Sequence, residues 1–352
     1  MKNKLGFYAG KLALTASPKS TSAPGLLASK IAPELLKELF NNLQSPVFIT
    51  GTNGKSSSAG FLANILEKNK QNIIHNKSGA NLVSGLLTAL LKENNLKNKK
   101  PILEIDEAVL RKITSFAPAE LILVTNFFRD QLDRFGEMQK TISLVQEGLK
   151  FTESGVLINN ADDPNTCHLK AKNTIYYGIL PQAQFLNSPI FAPELANCPN
   201  CNSDLNYSAQ WLGQLGDFYC RHCNYQKPQP QVFVSSLSLS PNHSEAIINF
   251  EHNSLKIQIP LPGLFNVYNA IGAATSAYSL KVPFEAIKAG IESYKPLFGR
   301  SQETIYKGKK LKIFLIKNPI GASEILRLIH SDEKAKVLIA INDNYADGQL
   351  GF

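Results

Sequence analysis

A short glycine-rich loop is the part of the sequence best suited to chemistry. Its residues are Gly51, Thr52, Asn53, Gly54, Lys55 and Ser56. Glycines let backbone N–H groups face phosphate oxygens, Lys55 brings positive charge to the β- and γ-phosphates, and the Ser56 hydroxyl suits Mg2+. A full Walker motif would carry glycine where Ile49 stands, so an ordinary glycine-rich turn is the alternative. The Lys-Ser ending favours a site for ATP and Mg2+.

A carboxylate follows another predicted strand. Glu104 ends an apolar run in LEIDEA, and open α/β sheets bind ligands outside the carboxyl ends of their strands. We predict that Glu104 is a catalytic residue that holds magnesium, as Ser56 does. The competing interpretations concern Asp106 and Glu107, which suit a helix N-cap and a first-turn partner of the helix dipole.

Four of the five cysteines form two C-x2-C pairs, Cys198 with Cys201 and Cys220 with Cys223. Two thiolates at this spacing can bind one metal ion from a tight turn, and two such turns supply a tetrahedral zinc site. A four-cysteine site of this kind is closed and structural. Redox-active pairs or disulfides are the alternative. Cys167 stands apart and is expected to be a small buried or half-buried residue.

These residues lie in a chain that alternates strands with helices. A strand, a turn and a helix surround the phosphate loop, and apolar runs follow at Ile73–His75, Ile102–Ile105 and in LILVTNFF. This alternation predicts an α/β fold with a parallel sheet. After the cysteines, QVFVSSLSLS, AIINFE and SLKIQIPLP alternate like antiparallel strands, and a helix follows. KLKIFLIKNP, SEILRLIHS and KAKVLIAINDN then predict strand, helix and strand.

Length and composition exclude several classes of protein. The 352 residues are 43% apolar and carry a net charge of +9, so the chain can form folded cores and intrinsic disorder is a poor description. No apolar run approaches the roughly 18 residues of a membrane-spanning helix, and the N-terminus is a poor signal peptide. We therefore predict a cytoplasmic protein. The basic residues are too scattered to indicate nucleic-acid binding.

Six features occur in the order seen in the Mur ligases, which form amide bonds by ATP-driven acyl-phosphate chemistry. They are TGTNGKS, the strand-end Glu104, TNFFRDQLDRFGE, NNADDPN, LPGLFNVYNAIGA and FGRSQE. Within that family the sequence resembles the MurT type, the ligase-like subunit of lipid II isoglutaminyl synthase. A four-cysteine ribbon interrupts the central region, RDQLDR carries glutamine where peptide-forming relatives usually have histidine, and too few residues precede the loop for a UDP-sugar domain.

The resemblance implies a reaction and a partner. MurT-type subunits use ATP to phosphorylate the α-carboxylate of D-glutamate in the lipid II stem peptide. Ammonia from a GatD-type glutamine amidotransferase then displaces the phosphate and leaves D-isoglutamine, a step of peptidoglycan biosynthesis. We therefore expect ATP, Mg2+ and Zn2+ as cofactors, a heterodimer with the glutaminase, and an enzyme peripheral to the inner face of the membrane that carries lipid II.

The resemblance also assigns roles to single residues. Six residues match family motifs that lie near the nucleotide, namely Asn160, Asp162, Asp163, Asn266, Asn269 and Arg300. Capping or packing is the alternative for Asn269, and an exposed linker charge for Arg300. In this family an aspartate near INDNYADG completes the Cys-His triad of the glutaminase. Asp343 and Asp347 are the candidates, and Asp343 is favoured because it ends a predicted strand.

The same motifs predict the domain organisation. We expect an N-terminal arm over 1–40 with a turn at Pro24-Gly25, and a central ATP-binding domain over 41–297 with a zinc ribbon inserted at about 190–228. Residues 298–352 would form a partial C-terminal domain with an uncovered apolar face. The alternatives are a truncated, inactive MurT-like product that still binds ATP, and another amide ligase of this fold, similar to folylpolyglutamate synthase. The cysteine ribbon and the lack of a lysine suited to carbamylation argue against the latter.

Overall fold

The computed structural model describes residues 1–128, 137–181, 196–296, 300–316, 319–330 and 336–340. Its helices are α1 (Lys2–Ala16), α2 (Ala23–Ile31), α3 (Leu35–Phe40), α4 (Lys55–Lys68), α5 (Val83–Lys92), α6 (Glu107–Thr114), α7 (Glu137–Leu149), α8 (Pro164–Cys167), α9 (Leu264–Ser279), α10 (Phe284–Glu292) and α11 (Pro319–His330). Its strands are β1 (Val47–Thr50), β2 (Ile73–His75), β3 (Lys100–Glu104), β4 (Leu121–Val124), β5 (Val156–Asn160), β6 (Thr174–Ile179), β7 (Asn206–Leu212), β8 (Leu215–Tyr219), β9 (Val232–Leu239), β10 (Ser244–Asn249), β11 (Ser254–Ile259), β12 (Arg300–Tyr306) and β13 (Lys309–Phe314). The candidates Asp343 and Asp347 lie outside the described residues.

A nine-stranded sheet forms the centre of the fold, in the order β11-β10-β9-β6-β5-β4-β1-β3-β2. The strands from β9 to β2 are parallel, and β10 and β11 extend one edge in antiparallel pairing. Ile49 of β1 lies opposite Glu104 of β3 on one side and Leu123 of β4 on the other. The carboxyl ends of these three strands therefore meet where the phosphate loop begins. The predicted α/β class with a mostly parallel sheet is confirmed.

Helices cover both faces of this sheet because successive side chains of a strand point to opposite sides. On β1, Ile49 belongs to the core that includes α4, α9 and α10, through residues such as Phe61. Its neighbour Phe48 belongs to the opposite core, which includes Leu86 of α5 and Leu110 of α6. The phosphate loop is thus anchored on a strand that is buried from both sides.

The first 40 residues form three helices, and the predicted turn at Pro24-Gly25 was wrong. Both residues lie in the first turn of α2, where proline is tolerated because no intrahelical N–H donor is needed. Gly25 allows a close approach to α5. A Cβ atom at residue 25 would lie 2.0 Å from the Ser84 carbonyl oxygen, and the Gly25 N–H donates to the Thr88 hydroxyl at 2.8 Å.

The cysteine segment is inserted between β6 and β9, which are parallel neighbours in the sheet. Its described part contains the antiparallel hairpin β7–β8 between two cysteine turns. In each turn the residue after the second cysteine, Asn202 or Asn224, has a positive φ, of 61° or 58°, which asparagine tolerates better than most residues. Leu205, Phe218 and Tyr225 form a small core beside the cysteines.

The C-terminal residues differ from the predicted strand–helix–strand unit. The hairpin β12–β13 and helix α11 are present, so the strand of KLKIFLIKNP pairs with the segment that precedes it. Residues 336–340 form no strand, and Val337, Leu338 and Ile339 are 50%, 93% and 63% exposed. In the part of the chain that the structure describes, no strand lies beside them to share backbone hydrogen bonds.

Candidate active site

The phosphate loop joins β1 to α4 and turns at its two glycines. Gly51 and Gly54 have φ values of 115° and 85°, a region that favours glycine. Gly54 is the N-cap of α4, so the helix begins with Lys55 and its unpaired N–H groups face the loop. Space beside Gly54 is limited, because a Cβ atom there would lie 2.1 Å from the Asn269 Oδ1 atom.

The segment after β4 holds the loop in place. Thr52 donates its N–H to the Asn126 carbonyl oxygen at 2.8 Å, and the Asn126 side chain exchanges bonds of 2.9 and 3.1 Å with the Asn53 backbone. The Phe128 N–H donates to the Thr52 hydroxyl at 3.2 Å. Thr52 and Asn53 line the cleft, and their contact with a nucleotide stays a prediction. Asn126 was not predicted, because only the pairing of β1 with β4 places it there.

The Lys55 ammonium group contacts loop carbonyls and an acidic side chain. It bonds to the Gly51 carbonyl oxygen, and it forms an ion pair with the Glu107 Oε1 atom at 3.0 Å. The same oxygen of Glu107 accepts the Gly51 N–H at 2.9 Å. Glu107 is therefore a partner of the loop, a role that the sequence did not reveal. Asp106 caps α6 and accepts a backbone N–H at 3.0 Å.

Ser56 is buried and lies directly beside Glu104. The Ser56 hydroxyl donates to the Glu104 Oε2 atom, and Asn81 donates to Oε1 at 3.3 Å. Asn76 fixes the Glu104 backbone with two hydrogen bonds of 2.9 Å. Glu104 is only 4% exposed but lines the cleft. Since Mg2+ prefers carboxylate and other oxygen ligands, this donor pair fits a magnesium ion.

A cleft of about 540 Å³ extends from the loop towards α9 and α11, a volume suited to a small-molecule ligand. Asn266 and Asn269, in the first two turns of α9, line this cleft. Asn269 accepts the Ser58 hydroxyl at 3.3 Å and donates to the Asn266 Oδ1 atom at 3.4 Å. The structure thus brings both asparagines to the phosphate loop. Arg300 begins β12, and the role of its side chain stays a prediction.

The outer wall of the cleft comes from two segments that no motif predicted. Leu212 and Leu215 reach it from the tip of the β7–β8 hairpin, and Glu324 reaches it from α11. The Glu324 carboxylate accepts the backbone N–H of Leu264 at the start of α9 and lies 3.0 Å from Arg327. Burial raises the pKa of Glu324 to about 7. These contacts depend on how distant segments fold together.

Asn160 and Asp162 lie behind the cleft and outside its lining, and both are fully buried. Asn160 donates to the Thr125 carbonyl oxygen at 3.0 Å. Asp162 lies 2.6 Å from the Lys227 ammonium and accepts the Tyr268 hydroxyl at 2.6 Å. Burial raises the pKa of Asp162, and Lys227 opposes that shift. These side chains bind protein groups here, and their contact with a nucleotide stays a prediction.

Asp163 and Gln214 hold the backbone of Phe127 from both sides. Asp163 caps α8 and accepts the Phe127 N–H at 2.7 Å. Gln214, in the β7–β8 turn, donates to the Phe127 carbonyl oxygen at 2.6 Å and to the Asp163 carboxylate at 2.9 Å. Burial raises the pKa of Asp163 to about 6. Gln214 was missed because its role depends on where the hairpin lies.

The four predicted zinc ligands form one cluster. The sulfur atoms of Cys198, Cys201, Cys220 and Cys223 all lie within 4.8 Å of one another. The distance is 3.4 Å from Cys198 to Cys223 and 3.5 Å from Cys201 to Cys220. Four sulfurs about 2.3 Å from one zinc ion in a tetrahedron are separated by about 3.8 Å. The separations and the all-sulfur donor set fit a closed zinc site.

Comparison with known proteins decides the family. The Mur ligase middle domain matches residues 49–192 and 190–277, and the MurT ligase C-terminal family matches residues 315–350. The MurT subunit of lipid II isoglutaminyl synthase (glutamine-hydrolyzing) from Staphylococcus aureus is 34% identical, over 99% of this chain and 80% of that protein. The chain belongs to the MurT family of Mur ligases. The MurT subunit of Streptococcus pneumoniae is 31% identical, over 99% of this chain and 78% of that protein.

Solved structures agree with this MurT assignment at the level of the fold. A pseudomurein peptide ligase type C from Methanothermus fervidus has a TM-score of 0.68 and 26% identity, over 84% of this chain and 58% of that one. MurF from Thermotoga maritima in complex with ADP has a TM-score of 0.60 and 14% identity, over 86% of this chain and 61% of that one. The MurT-type chain therefore spans less than two thirds of these ligases. Among the described residues, no helix has the length and apolar character needed to cross a bilayer.

Proposed function

We propose that this chain is the ligase subunit of a glutamine-dependent lipid II isoglutaminyl synthase. It uses ATP to activate the α-carboxylate of D-glutamate in the lipid II stem peptide, and a GatD-type glutaminase supplies the ammonia that forms D-isoglutamine. One observation carries this proposal: in a MurT-type chain, Lys55 of the phosphate loop and Glu104 line one cleft, and the hydroxyl of the next loop residue, Ser56, bonds to Glu104.

The reaction needs ATP because a carboxylate is a poor electrophile. A carboxylate oxygen of the substrate attacks the γ-phosphorus, the bond to the ADP oxygen breaks, and an acyl phosphate forms. Ammonia then attacks the acyl carbon, the bond from that carbon to the phosphate-bearing oxygen breaks, and inorganic phosphate leaves with the carboxylate oxygen and takes up the proton that the nitrogen loses. Phosphoryl transfer of this kind depends mainly on positioning and on charge neutralisation.

The residues of the loop supply both requirements. The N-terminus of α4 and the loop N–H groups face the phosphates, and the Lys55 ammonium, 3.0 Å from Glu107, is held beside them. Ser56 and Glu104 are the groups that would hold Mg2+, which neutralises charge on the β- and γ-phosphates when bound. The Asn126 bonds to Asn53 keep the loop in the shape that these contacts need.

The remaining predicted residues complete the proposal. Asn266 and Asn269 would contact the nucleotide's base and ribose, and Arg300 its phosphates. Asp343 would complete the Cys-His triad of the glutaminase, with Asp347 as the alternative. The four cysteines would hold a structural Zn2+. The enzyme would act in the cytoplasm, at the inner face of the membrane that carries lipid II.

Reconstitution tests this proposal directly. The chain is co-expressed with a GatD-type glutaminase, and the complex is incubated with lipid II, ATP and glutamine before mass spectrometry of the stem peptide. We expect D-isoglutamine from the wild type and from Lys68→Ala, which changes an exposed lysine at the other end of α4, but not from Lys55→Ala. Nucleotide binding without product would instead support the inactive MurT-like alternative, and addition of an amino acid in place of ammonia would support another amide ligase.

A further inference from the structure

Helix α1 carries a row of exposed apolar side chains. Leu5, Tyr8 and Leu12 are 62%, 68% and 72% exposed, and their spacing places them on one stripe of the helix. The opposite side uses glycines to approach the protein. A Cβ atom at Gly6 would lie 2.5 Å from the Ala32 side chain, and one at Gly10 would lie 2.6 Å from the Leu91 side chain. Thus α1 packs through its glycines and through the half-buried Phe7 and Leu14, and leaves the stripe of larger apolar residues outside.

The helix that carries this stripe is basic, and Asn3, on its glycine side, bonds to the Glu38 carboxylate of α3. Lys2, Lys4 and Lys19 are exposed, and the first acidic residue in the sequence is Glu34. Helix α2 adds two half-exposed leucines and the exposed Lys30. A helix with exposed apolar residues, a tyrosine and flanking lysines has the composition of helices that lie in the interface of an anionic bilayer.

We propose that α1 docks on an anionic phospholipid surface, with Leu5, Tyr8 and Leu12 entering the acyl boundary and Lys2 and Lys4 contacting the headgroups. The charge favours lipid over a protein partner, since α1 and α2 contain lysines and no acidic residue. The small area of the α1 stripe also favours lipid over a protein partner. A 15-residue helix spans about 22 Å, and one stripe of it offers much less than the roughly 800 Å² per partner of a stable protein interface. The inference rests on α1 and not on the amidation reaction, although a lipid-linked substrate would suit it.

Vesicle flotation of the full chain tests this docking. We expect binding to phosphatidylglycerol–phosphatidylcholine vesicles, weaker binding at high salt, and little binding to pure phosphatidylcholine. The triple change Leu5→Ser, Tyr8→Ser and Leu12→Ser should weaken binding at least about 10-fold. The matched control is Leu82→Ser with Phe151→Ser, which removes apolar side chains 53% and 42% exposed elsewhere.

Three results would overturn the proposal: no flotation of the wild type, equal flotation of the triple variant, or equal flotation on neutral vesicles. ATP binding and amidation of detergent-dispersed lipid II should be unchanged in the triple variant. Failure of flotation and failure of the proposed function are therefore read from separate assays.

A second inference concerns Gln214, which links the cysteine insertion to the phosphate loop. Its side chain is 3% exposed and bonds to both Phe127 and Asp163. Phe127 stands between Asn126 and Phe128, and both of these bond to the loop. One chain of hydrogen bonds therefore runs from the β7–β8 hairpin, which joins the two cysteine turns, to the residues that would cradle phosphate.

We infer that Gln214 is a positioning residue for the phosphate loop. The cysteine cluster supports the hairpin, the hairpin places Gln214, and Gln214 with Asp163 fixes the backbone from which the loop is braced. Gly213 beside it allows this fit, since a Cβ atom there would lie 2.5 Å from the Ile320 side chain of α11. The insertion is in this view part of the nucleotide site.

The test compares Gln214→Leu with Gln226→Leu, an exposed glutamine of the same insertion. We expect Gln214→Leu to keep its zinc and to bind a non-hydrolysable ATP analogue at least about 10-fold more weakly, since buried hydrogen bonds to a charged group are lost. As the pH is lowered, Gln214→Leu should lose binding of the ATP analogue at a higher pH than the wild type does. The reason is that Asp163 loses a donor that stabilises its carboxylate, so its pKa rises.

Gln226→Leu should match the wild type in both measurements. Equal ATP affinity in Gln214→Leu and wild type would overturn the inference, as would loss of zinc from Gln214→Leu, which would indicate a residue that supports the cysteine cluster instead. ATP-analogue binding by the wild type tests the proposed function, whereas the difference between the wild type and Gln214→Leu tests the role of Gln214. Failure of one can therefore be told from failure of the other.

Discussion

Replacing Gly54 by alanine tests the geometry of the phosphate loop. The residue has a φ of 85°, and its missing Cβ would lie 2.1 Å from the Asn269 Oδ1 atom. Asn269 is 5% exposed and bonds to Ser58 and Asn266, so it can move aside only by breaking those contacts. Alanine at residue 54 therefore strains the backbone and displaces a side chain that lines the cleft.

The variant Gly308→Ala separates the backbone strain from the displacement of a neighbouring side chain. Gly308 has a φ of 74°, and a Cβ atom added there would meet nothing within 4 Å, so alanine adds only the cost of a left-handed backbone, about 1–2 kcal/mol. Gly54→Ala adds to this the loss of one or two buried hydrogen bonds, about 1–2 kcal/mol more. We expect a total loss of about 2–4 kcal/mol in the free energy of unfolding for Gly54→Ala.

Two assays read this prediction. Denaturant unfolding is followed by the fluorescence of Trp211, the single tryptophan, which is fully buried. Calorimetric titration with an ATP analogue gives the affinity of the folded protein. We expect Gly54→Ala to bind at least about 10-fold more weakly, and Gly308→Ala to bind like the wild type. Unchanged affinity in Gly54→Ala would refute the placement of Asn269 against the loop.

Three further predictions concern magnesium, zinc and pH. Ser56→Ala should leave ATP binding measurable in the absence of Mg2+ but lower kcat at least about 100-fold, and a wild-type kcat would exclude Ser56 as a ligand. Cys223→Ser should reduce the bound zinc measured by atomic absorption from one ion to none and lower the melting temperature, whereas retained zinc would remove this cysteine from the site. Burial, aided by Lys77, lowers the pKa of His75 to about 4, so the unfolded chain binds the proton first as pH falls from about 6.5. Stability should therefore drop by about 2–3 kcal/mol between about pH 6.5 and pH 4, and a His75→Gln variant with the same pH profile in urea titrations would contradict this.

Features carried by contiguous residues could be predicted from the sequence. The loop from Gly51 to Ser56 is one such segment, and each cysteine pair is another, because local spacing alone fixes how these groups face a ligand. The position of Glu104 at the cleft was also predictable, since the carboxyl end of a strand in a parallel sheet lies at the edge where such sheets bind ligands. The parallel sheet itself follows from apolar strands that alternate with helices.

Features that depend on long-range register could not be predicted. Glu107 and Asn126 reach the loop only because β3 and β4 flank β1, and Gln214 reaches Phe127 only because a hairpin 87 residues away folds over it. At Pro24-Gly25 the sequence signal itself was ambiguous. Proline followed by glycine suits a turn, but it also suits a first helical turn that packs tightly on another helix.

An isotope experiment tests the central claim most directly, namely that this chain activates a substrate carboxylate by phosphorylation. Lipid II labelled with oxygen-18 in the α-carboxylate of D-glutamate is incubated with ATP, glutamine and the complex, and the inorganic phosphate is analysed by mass spectrometry. The account predicts that one oxygen-18 atom enters phosphate for each D-isoglutamine formed, and that neither product appears with Lys55→Ala. Amidated product accompanied by unlabelled phosphate, or by labelled AMP, would contradict it.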